Sequence, residues 1–273
     1  MNQLATLAGT MTAILVVAPL LAVFAYLVIR GAGSLSWAFL TKAPVPVGEM
    51  GGGMGNAIVG SALILAIASA IGIPLGIGSG IFVAEYARGP LPKYVRFIAD
   101  LLNGVPSIVI GMTVYSVVVM RQKHFSALAG GIALGVMMIP TITRTTEEML
   151  LMVPQTVREA AYGLGIPRWR AMVSVTLRTA LPGVITGVML AFARVAGETA
   201  PLMFTALGNT FWNWNVNQPT AALPLQIYLY ANSPYEEWHR LAWAGALVLI
   251  VLIVGTFTAV RVISRRGVFQ GAQ

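Results

Sequence analysis

Six long apolar runs dominate this 273-residue sequence. They lie near residues 8–29, 56–84, 97–120, 126–143, 183–206 and 240–262. A helix needs about 20 apolar residues to cross the hydrocarbon core of a bilayer, so runs of this kind predict transmembrane helices. The composition agrees, because 57% of the residues are hydrophobic and 10% are charged, whereas a soluble domain carries about 25% charged residues. The sequence therefore excludes a soluble enzyme and predicts an all-α integral membrane protein with about six transmembrane helices.

The first apolar run predicts an uncleaved membrane anchor. Its apolar core is longer than that of a secretory signal peptide, and residues 1–7 carry no positive charge. No internal repeat with a fixed period divides the sequence. We therefore expect residues 1–273 to form a single transmembrane domain.

The distribution of the 17 Lys and Arg residues predicts the orientation in the membrane. The segments that follow the second, fourth and sixth runs carry eleven of them: Arg88, Lys93, Arg96, Arg144, Arg158, Arg168, Arg170, Arg178, Arg261, Arg265 and Arg266. The opposite loops carry five: Arg30, Lys42, Arg121, Lys123 and Arg240. Cytoplasmic loops are enriched in Lys and Arg, so both termini are expected in the cytoplasm. The same enrichment accounts for the net charge of +8 without a nucleic-acid partner.

The second run carries two rows of small residues at a spacing of four. One row is Ala62, Ala66, Ala70, Pro74 and Gly78, and the other is Ala68, Gly72, Gly76, Gly80 and Ala84. Residues at this spacing share a helix face, and small side chains allow a second helix to approach closely. The rows predict close packing, either within this chain or against a second subunit. Pro74, Pro106 and Pro140 are each expected to kink or break a helix.

The fifth run contains two charged residues, Arg194 and Glu198. If this run spans the membrane, Arg194 lies near its midpoint and Glu198 lies one turn later on the same face. Either charge costs about 2.5–3.5 kcal/mol at the centre of a bilayer, so both must face protein or a water-filled path. One interpretation is an internal ion pair. The other is an anion site, in which Arg194 attracts an oxyanion and Glu198 accepts a hydrogen bond from protonated phosphate.

The other acidic residues give weaker signals. Asp100 follows Arg96 by one helical turn, which predicts an ion pair at a helix end. Glu147 and Glu148 are adjacent, as are Glu236 and Glu237, and both pairs are expected to be solvated at loop ends. No set of residues suggests catalysis or a metal site, and the sequence contains no cysteine.

Residues 144–182 form the only extended segment with the character of a soluble protein, and we expect them to be a cytoplasmic loop. Residues 159–164 predict a short helix, with Glu159 in its first turn, where the helix dipole favours a negative charge. Gly165 and Pro167 are expected to end this helix. A simple interpretation is a loop on the lipid headgroups.

A motif in this loop resembles a known family. Glu159, Ala160 and Ala161, followed after three residues by Gly165, resemble the E-A-A-x-x-x-G loop of ABC importer permeases. The family pattern continues nine residues later with Ile-x-Leu-Pro, whereas this sequence has arginine at Arg178 in the position of the proline. A Leu-Pro pair occurs instead at residues 181–182. The resemblance implies that the short helix docks into a groove on an ATPase subunit and that 144–182 is the coupling loop.

Four further stretches narrow the resemblance. They are Gly-Asn-Ala-Ile at 55–58, Ala-Glu-Tyr at 84–86, Gly-Val-Pro-Ser-Ile-Val at 104–109 and Ala-Arg-Val-Ala-Gly-Glu-Thr-Ala-Pro-Leu at 193–202. Together they resemble the permeases of phosphate-specific ABC importers, and the last resembles their A-type subunit. The resemblance implies a type I importer fold and a role for Arg194 and Glu198 in phosphate passage.

The resemblance also implies partners. They are a second, related permease, a dimer of ATPase subunits on the cytoplasmic face, and an external phosphate-binding protein. The sequence has no G-x-x-x-x-G-K-[ST] motif, so ATP is expected to be used by a separate subunit and no cofactor is expected in this chain. The aromatic-rich outer loop 207–239 predicts either a belt at the membrane surface or a surface that receives the binding protein.

Two other functions stay open at this point. The chain could be a permease for another oxyanion, such as molybdate or sulfate. It could also be a membrane scaffold or a passive channel that is not coupled to ATP.

Overall fold

The computed structural model describes residues 2–49 and 51–269. Within these ranges the chain is mostly helical, and its one extended contact is an isolated bridge between Leu207 and Thr220. The predicted all-α fold class is therefore confirmed. The side chains of Arg265 and Arg266, two of the basic residues used above to predict orientation, lie outside the described part of the chain.

The helices follow one another with mostly short connections. They are α1 (Asn2–Ala32), α2 (Trp37–Thr41), α3 (Gly55–Ile81), α4 (Leu91–Gly104), α5 (Ser107–Val114), α6 (Met120–Gln122), α7 (Ala127–Leu151), α8 (Gln155–Gly163), α9 (Arg168–Ala171), α10 (Leu177–Ala196), α11 (Ala200–Thr205), α12 (Leu223–Ala231) and α13 (Glu236–Phe269). Three π-helical turns extend or join these helices, at Phe82–Tyr86, Tyr115–Val119 and Met172–Thr176.

Five to six candidate crossings of a membrane lie within the described residues. Five helical stretches are long and apolar enough to cross alone: Ala5–Ala32, Gly55–Tyr86, Ala127–Leu151, Arg168–Ala196 and Glu236–Ser264. A sixth crossing combines Leu91–Gly104 with Ser107–Gln122, two helices that meet at a bend of 101°. The predicted number of about six transmembrane helices is in agreement with this count.

The third predicted transmembrane helix, at 97–120, is broken rather than continuous. Val105 is extended, with φ −69° and ψ 130°, and Pro106 follows it before α5 begins. Proline lacks an N–H and disfavours the helical conformation of the residue before it, so the helix ends here as the sequence predicted. Pro74 and Pro140, in contrast, lie inside the uninterrupted helices α3 and α7.

The fourth and fifth predicted helices have different bounds in the structure. The helix expected at 126–143 continues to Leu151, and the one expected at 183–206 is replaced by Arg168–Ala196. Charged residues of the supposed loop are thus helical. Arg144 and Glu147 form ion pairs with α4, and the arginines at 168, 170 and 178 are exposed. The predicted loop 144–182 was therefore too long: the connection contains only residues 152–167, including α8.

Helices α3 and α7 pack closely along one of the two small-residue rows. A Cβ atom added at Gly72, Gly76 or Gly80 would lie 2.6–2.7 Å from side-chain atoms of α7. This row therefore packs within the chain. The other row is exposed, and Ala62 and Ala66 line an apolar cavity of about 330 Å³ between α3, α10 and α13.

The main core surrounds α7. Leu134, Met138 and Ile142 of α7 are buried against Ala68 of α3 and Val195 of α10. Helix α1 lies at the periphery and packs on α13, where Tyr26 contacts Trp243 with ring centroids 5.2 Å apart. Apolar side chains cover most of the remaining surface of α1, as expected for a helix surrounded by lipid.

Candidate functional site

The two charged residues of the predicted anion site lie at the end of a helix. Arg194 is in the last turn of α10, which ends at Ala196, and Gly197 caps this end directly before Glu198. The expected shared helix face is therefore wrong, and Arg194 lies at the end of a helix rather than in its middle. The reason is local: the Gly-Glu-Thr-Ala-Pro stretch ends one helix and starts another, since Pro201 occupies the first turn of α11.

Neither side chain is engaged by another described residue. Arg194 is exposed and Glu198 is half-buried, and the described part of the chain provides no ion pair or side-chain hydrogen bond to either. The hypothesis of an internal Arg194–Glu198 ion pair is therefore not supported by this geometry. A guanidinium without a protein acceptor remains free to bind the oxygens of an anion.

The chain around this pair is tightly positioned. Helix α11 follows the break at Gly197 and packs against α5, where a Cβ added at Gly111 would lie 2.6 Å from the Cα of Pro201. Leu202 of α11 is buried in the main core. Irregular backbone inside membrane proteins is found where it faces protein or lines a water-filled cavity. The break between Arg194 and Glu198 faces protein, because α11 directly after it packs against α5 and the main core.

Helix α8 contains the E-A-A motif. It extends over Gln155–Gly163, so the short helix predicted from the sequence is present but begins four residues before Glu159. Glu159 is therefore beyond the first turn, which corrects its expected place at the helix N-terminus. Gly165 has φ +73° and its N–H donates to the Tyr162 carbonyl at 2.9 Å, so it ends the helix as predicted.

The two faces of α8 differ in character. Glu159, Ala160 and Gly165 are exposed, whereas Ala161 is buried against the rest of the chain. Large apolar side chains surround the exposed face, namely Met152, Leu164 and Trp169, with relative exposures of 73%, 80% and 64%. An exposed apolar patch of this kind is typical of a protein–protein contact.

Arg158 lies on the inner face of α8, and its ion pair was not predicted from the sequence. Its guanidinium forms an ion pair with Glu85 and donates a second hydrogen bond to the Leu150 carbonyl at 2.5 Å. Glu85 belongs to the Ala-Glu-Tyr stretch that carried the family resemblance. The long sequence separation, 73 positions, explains why no local pattern reveals this pair.

A ladder of polar contacts joins the antiparallel helices α4 and α7. Its three rungs are Arg96–Glu147, Asp100–Arg144 and Asn103–Thr141. Asp100 thus pairs with Arg144 at 3.1 Å, so its expected pairing with Arg96 is wrong.

Glu147 is the centre of this ladder. It is 2% exposed and contacts both Arg96 and Arg144, so its expected solvation at a loop end is also wrong. Glu148, its sequence neighbour, is exposed as predicted. Residues 141, 144 and 147 share the face of α7 that meets α4, whereas residue 148 is turned about 100° away from it. The mispredicted helix end at residue 143 concealed this difference.

The aromatic residues of the outer loop divide into two groups. Trp212 and Trp214 stack with ring centroids 6.2 Å apart at the surface, where Phe211 is also exposed. Tyr230 is buried and stacks on Trp238 with centroids 4.5 Å apart. The first group is available to lipid or to another protein, and the second is part of the fold.

Comparison with protein families gives a match over most of the chain. The model of the family described as binding-protein-dependent transport system inner membrane component matches residues 72–267. Both the α8 motif and the Arg194–Glu198 stretch lie within the matched residues.

Several curated proteins are similar over most of their length. The phosphate transport system permease protein PstA of Yersinia pestis is 47% identical over 228 residues, which cover 83% of this chain and 77% of that protein. The protein of the same name from Pasteurella multocida is 46% identical over 238 residues, covering 86% and 84%. A probable phosphate permease from Methanocaldococcus jannaschii is 35% identical over 211 residues, covering 77% and 75%.

Among solved structures, the chain is similar to an inward-facing conformation of the MetNI methionine ABC transporter. The TM-score is 0.64, with 20% sequence identity, and the match covers 79% of this chain and 97% of that one. At this identity the similarity shows a shared arrangement of helices.

Proposed function

This chain belongs to the family of binding-protein-dependent transport system inner membrane components, and from that premise we propose that it is the permease subunit of an ATP-driven importer of inorganic phosphate. The observation that carries the proposal is its 45–47% identity to permeases named for phosphate transport, over more than four-fifths of its length. The fold is that of a type I ABC importer permease, and the protein is a multi-pass protein of the inner membrane.

The chain works with other subunits, as an ABC transporter permease must. We infer that these are a second, related permease, a dimer of ATPase subunits and an external phosphate-binding protein. The ATPase is a separate subunit in this proposal, and the permease carries no cofactor. Both termini and α8 lie in the cytoplasm, in keeping with the excess of Lys and Arg on that side.

Arg194 and Glu198 are proposed to contact phosphate on its path. Phosphate at neutral pH carries negative charge and still has a proton to donate, whereas sulfate has none. Arg194 attracts the anion through its free guanidinium, and Glu198 accepts a hydrogen bond from the phosphate hydroxyl. Because Arg194 is exposed on this chain, the second permease completes the wall of the path.

Helix α8 is proposed to receive the ATPase. Its exposed residues Glu159, Ala160 and Gly165, with the apolar patch around Leu164, form the docking surface, and Ala161 holds the helix against the chain. Closure of the ATPase dimer displaces α8, and the transmembrane helices re-orient around Arg194 and Glu198. Transport thus proceeds by alternating access.

Uptake by the purified transporter tests this function. Proteoliposomes that contain this chain, its partner permease and the ATPase are expected to import radiolabelled phosphate when ATP and the binding protein are supplied. Arg194→Gln is expected to abolish import, whereas Arg121→Gln, an exposed arginine on the same side, is expected to retain it.

The outcomes separate the proposed function from its alternatives. Import of labelled molybdate or sulfate that unlabelled phosphate does not inhibit identifies a permease for another oxyanion. Phosphate flux that is independent of ATP identifies a passive channel. Either result overturns the proposal.

A further inference from the structure

One arginine joins α8 to the ends of two transmembrane helices. Arg158 lies directly before Glu159, yet its side chain is directed to the inner face of α8 and is 11% exposed. One terminal nitrogen of its guanidinium pairs with the carboxylate of Glu85, which is 13% exposed. The other donates to the carbonyl of Leu150 at 2.5 Å. The pair is therefore almost enclosed by protein.

The three groups belong to different elements. Arg158 is on α8, Glu85 is in the π-helical turn Phe82–Tyr86 that continues α3, and Leu150 is in the last turn of α7. Single π-helical turns occur frequently at functional positions. Here the turn carries the carboxylate that receives the arginine, so a side-chain contact links the tip of α3 directly to α8.

The rest of the contact between α8 and the chain is apolar and small. Val157 and Ala161 are the inward residues of α8, and Val157 packs at the edge of a cluster formed by Leu150, Val153 and Met172. Apolar contacts are non-directional, so they allow one element to slide over another. A buried ion pair is different, because any displacement that separates it leaves a buried charge without a partner, which is strongly unfavourable.

We propose that Glu85 and Arg158 are positioning residues that make α8 and the end of α3 move as one rigid body during transport. The inference rests on the proposed function and adds to it the route by which α8 moves a transmembrane helix. Stability alone does not require this arrangement, since well-packed apolar residues are often at least as stable as a buried ion pair. The ion pair instead connects α8 to the end of α3 in one defined geometry, which the apolar contacts do not provide.

The ratio of phosphate imported to ATP hydrolysed tests this connection in the reconstituted transporter. Glu85→Gln and Arg158→Gln are each expected to lower the ratio at least fivefold, while the ATPase still co-purifies and hydrolyses ATP. Arg158→Lys, which retains the charge, is expected to recover part of the ratio. Arg88→Gln is the matched control: it removes the same charge from an exposed position three residues after Glu85 and should leave the ratio unchanged.

A covalent link gives a second, independent measurement. Because the sequence has no cysteine, Glu85→Cys and Arg158→Cys can be combined without background from this chain and joined by a short, reducible bifunctional thiol reagent. The unlinked double variant is expected to be uncoupled, linkage is expected to restore at least half of the wild-type ratio, and reduction is expected to abolish it again. If the double variant were uncoupled only because it folds poorly, the covalent link would not restore its ratio of phosphate imported to ATP hydrolysed.

The proposal is overturned if both Gln variants keep the wild-type ratio, or if linkage lowers the ratio further. A wild-type transporter that imports no phosphate contradicts the proposed function instead, so the two failures are distinguishable.

Discussion

At the scale of single residues, the charged side chains of this protein divide by whether they have a partner. Glu147 is enclosed by Arg96 and Arg144, and Glu85 is enclosed with Arg158. Arg194 and Glu198 have no ion pair with any described residue. Paired charges hold helices together, whereas an unpaired charge within a transmembrane segment is a reason to propose a functional site.

Glu198→Gln is expected to lower phosphate import about tenfold and to make it sensitive to sulfate. The physical reason is that a hydrogen bond to a charged acceptor contributes about 1.5–3 kcal/mol, and an amide both weakens that acceptor and adds a donor for sulfate oxygens. Import of labelled phosphate with and without excess sulfate measures the effect. Glu236→Gln, an exposed glutamate on the same side, is the control. Unchanged import and selectivity would contradict the assigned role.

Glu147→Ala is expected to lower the melting temperature of the detergent-solubilised protein by roughly 3–12 °C. Removing the buried carboxylate leaves Arg96 and Arg144 without their acceptor, at a cost of about 1.5–3 kcal/mol. Both arginines are about one-third exposed, which keeps the cost below that of a fully buried pair. Glu148→Ala removes the adjacent, exposed carboxylate and is expected to change the melting temperature by less than about 2 °C.

At the scale of elements, glycine decides how closely two helices approach and where a helix ends. Gly76 lies against Ile142 of α7, and Gly165 has a positive φ at the end of α8. Gly78, two residues from Gly76, faces open space. Gly76 and Gly78 therefore offer a matched test of helix packing, and Gly165 offers a test of backbone conformation.

Gly76→Ala is expected to reduce the yield of folded protein, and Gly78→Ala to maintain or raise it. A Cβ at residue 76 would lie 2.6 Å from the Cβ of Ile142, so α3 and α7 must separate, which costs about 1–3 kcal/mol. At residue 78 alanine only improves helix propensity, by about 1 kcal/mol. Size-exclusion profiles after heating in detergent compare the two variants. Equal profiles would show that the predicted clash is relieved without cost.

Gly165→Val is expected to impair ATP-driven import, whereas Gly165→Asn is expected to be tolerated. No atom lies within 4 Å of a Cβ at this position, so the effect comes from the positive φ, which asparagine adopts far more readily than a β-branched residue. Import and co-purification of the ATPase are the measurements. Equal loss in both variants would instead indicate that the ATPase packs against this position too closely for any side chain.

The sequence predicted the helical elements better than the contacts between them. Apolar runs are local, so the number of transmembrane helices and the break at Pro106 followed from composition and proline chemistry. The helix end at Gly197 was missed because the apolar run continues through Ala200 to Ala206. Arg96, one of the two partners of Glu147, lies 51 positions away from it, and the partner of Glu85 lies 73 positions away. No local periodicity encodes such distant pairings.

At the scale of the whole molecule, the order of the helices places the proposed ATPase site and the proposed phosphate site at opposite ends of the Arg168–Ala196 helix. Helix α8 lies before the start of the Arg168–Ala196 helix, and Arg194 lies in its last turn. If residues 152–167 are cytoplasmic, the break at Gly197 is on the opposite side of the bilayer centre from α8. The orientation of the chain in the membrane thus decides which of the two proposed sites faces the cytoplasm and which faces the outside.

Thiol labelling of intact cells is expected to show this orientation. Gly89→Cys and Met152→Cys should be protected from a membrane-impermeant reagent, because they flank the proposed cytoplasmic ends of α3 and α7. Lys123→Cys and Asn213→Cys should be labelled. The sequence has no native cysteine to label in their place. The reverse pattern would place α8 outside the cell and contradict its proposed contact with the ATPase.

The continuous helix from Arg168 to Ala196 has a mechanical consequence. At 1.5 Å per residue, about 39 Å separates its first residue from Arg194. If this helix tilts as a rigid body by about 5° about the end near α8, its far end moves by about 3 Å, roughly the length of one hydrogen bond. A tilt of a few degrees is therefore large enough to make or break the proposed contact between Arg194 and an anion.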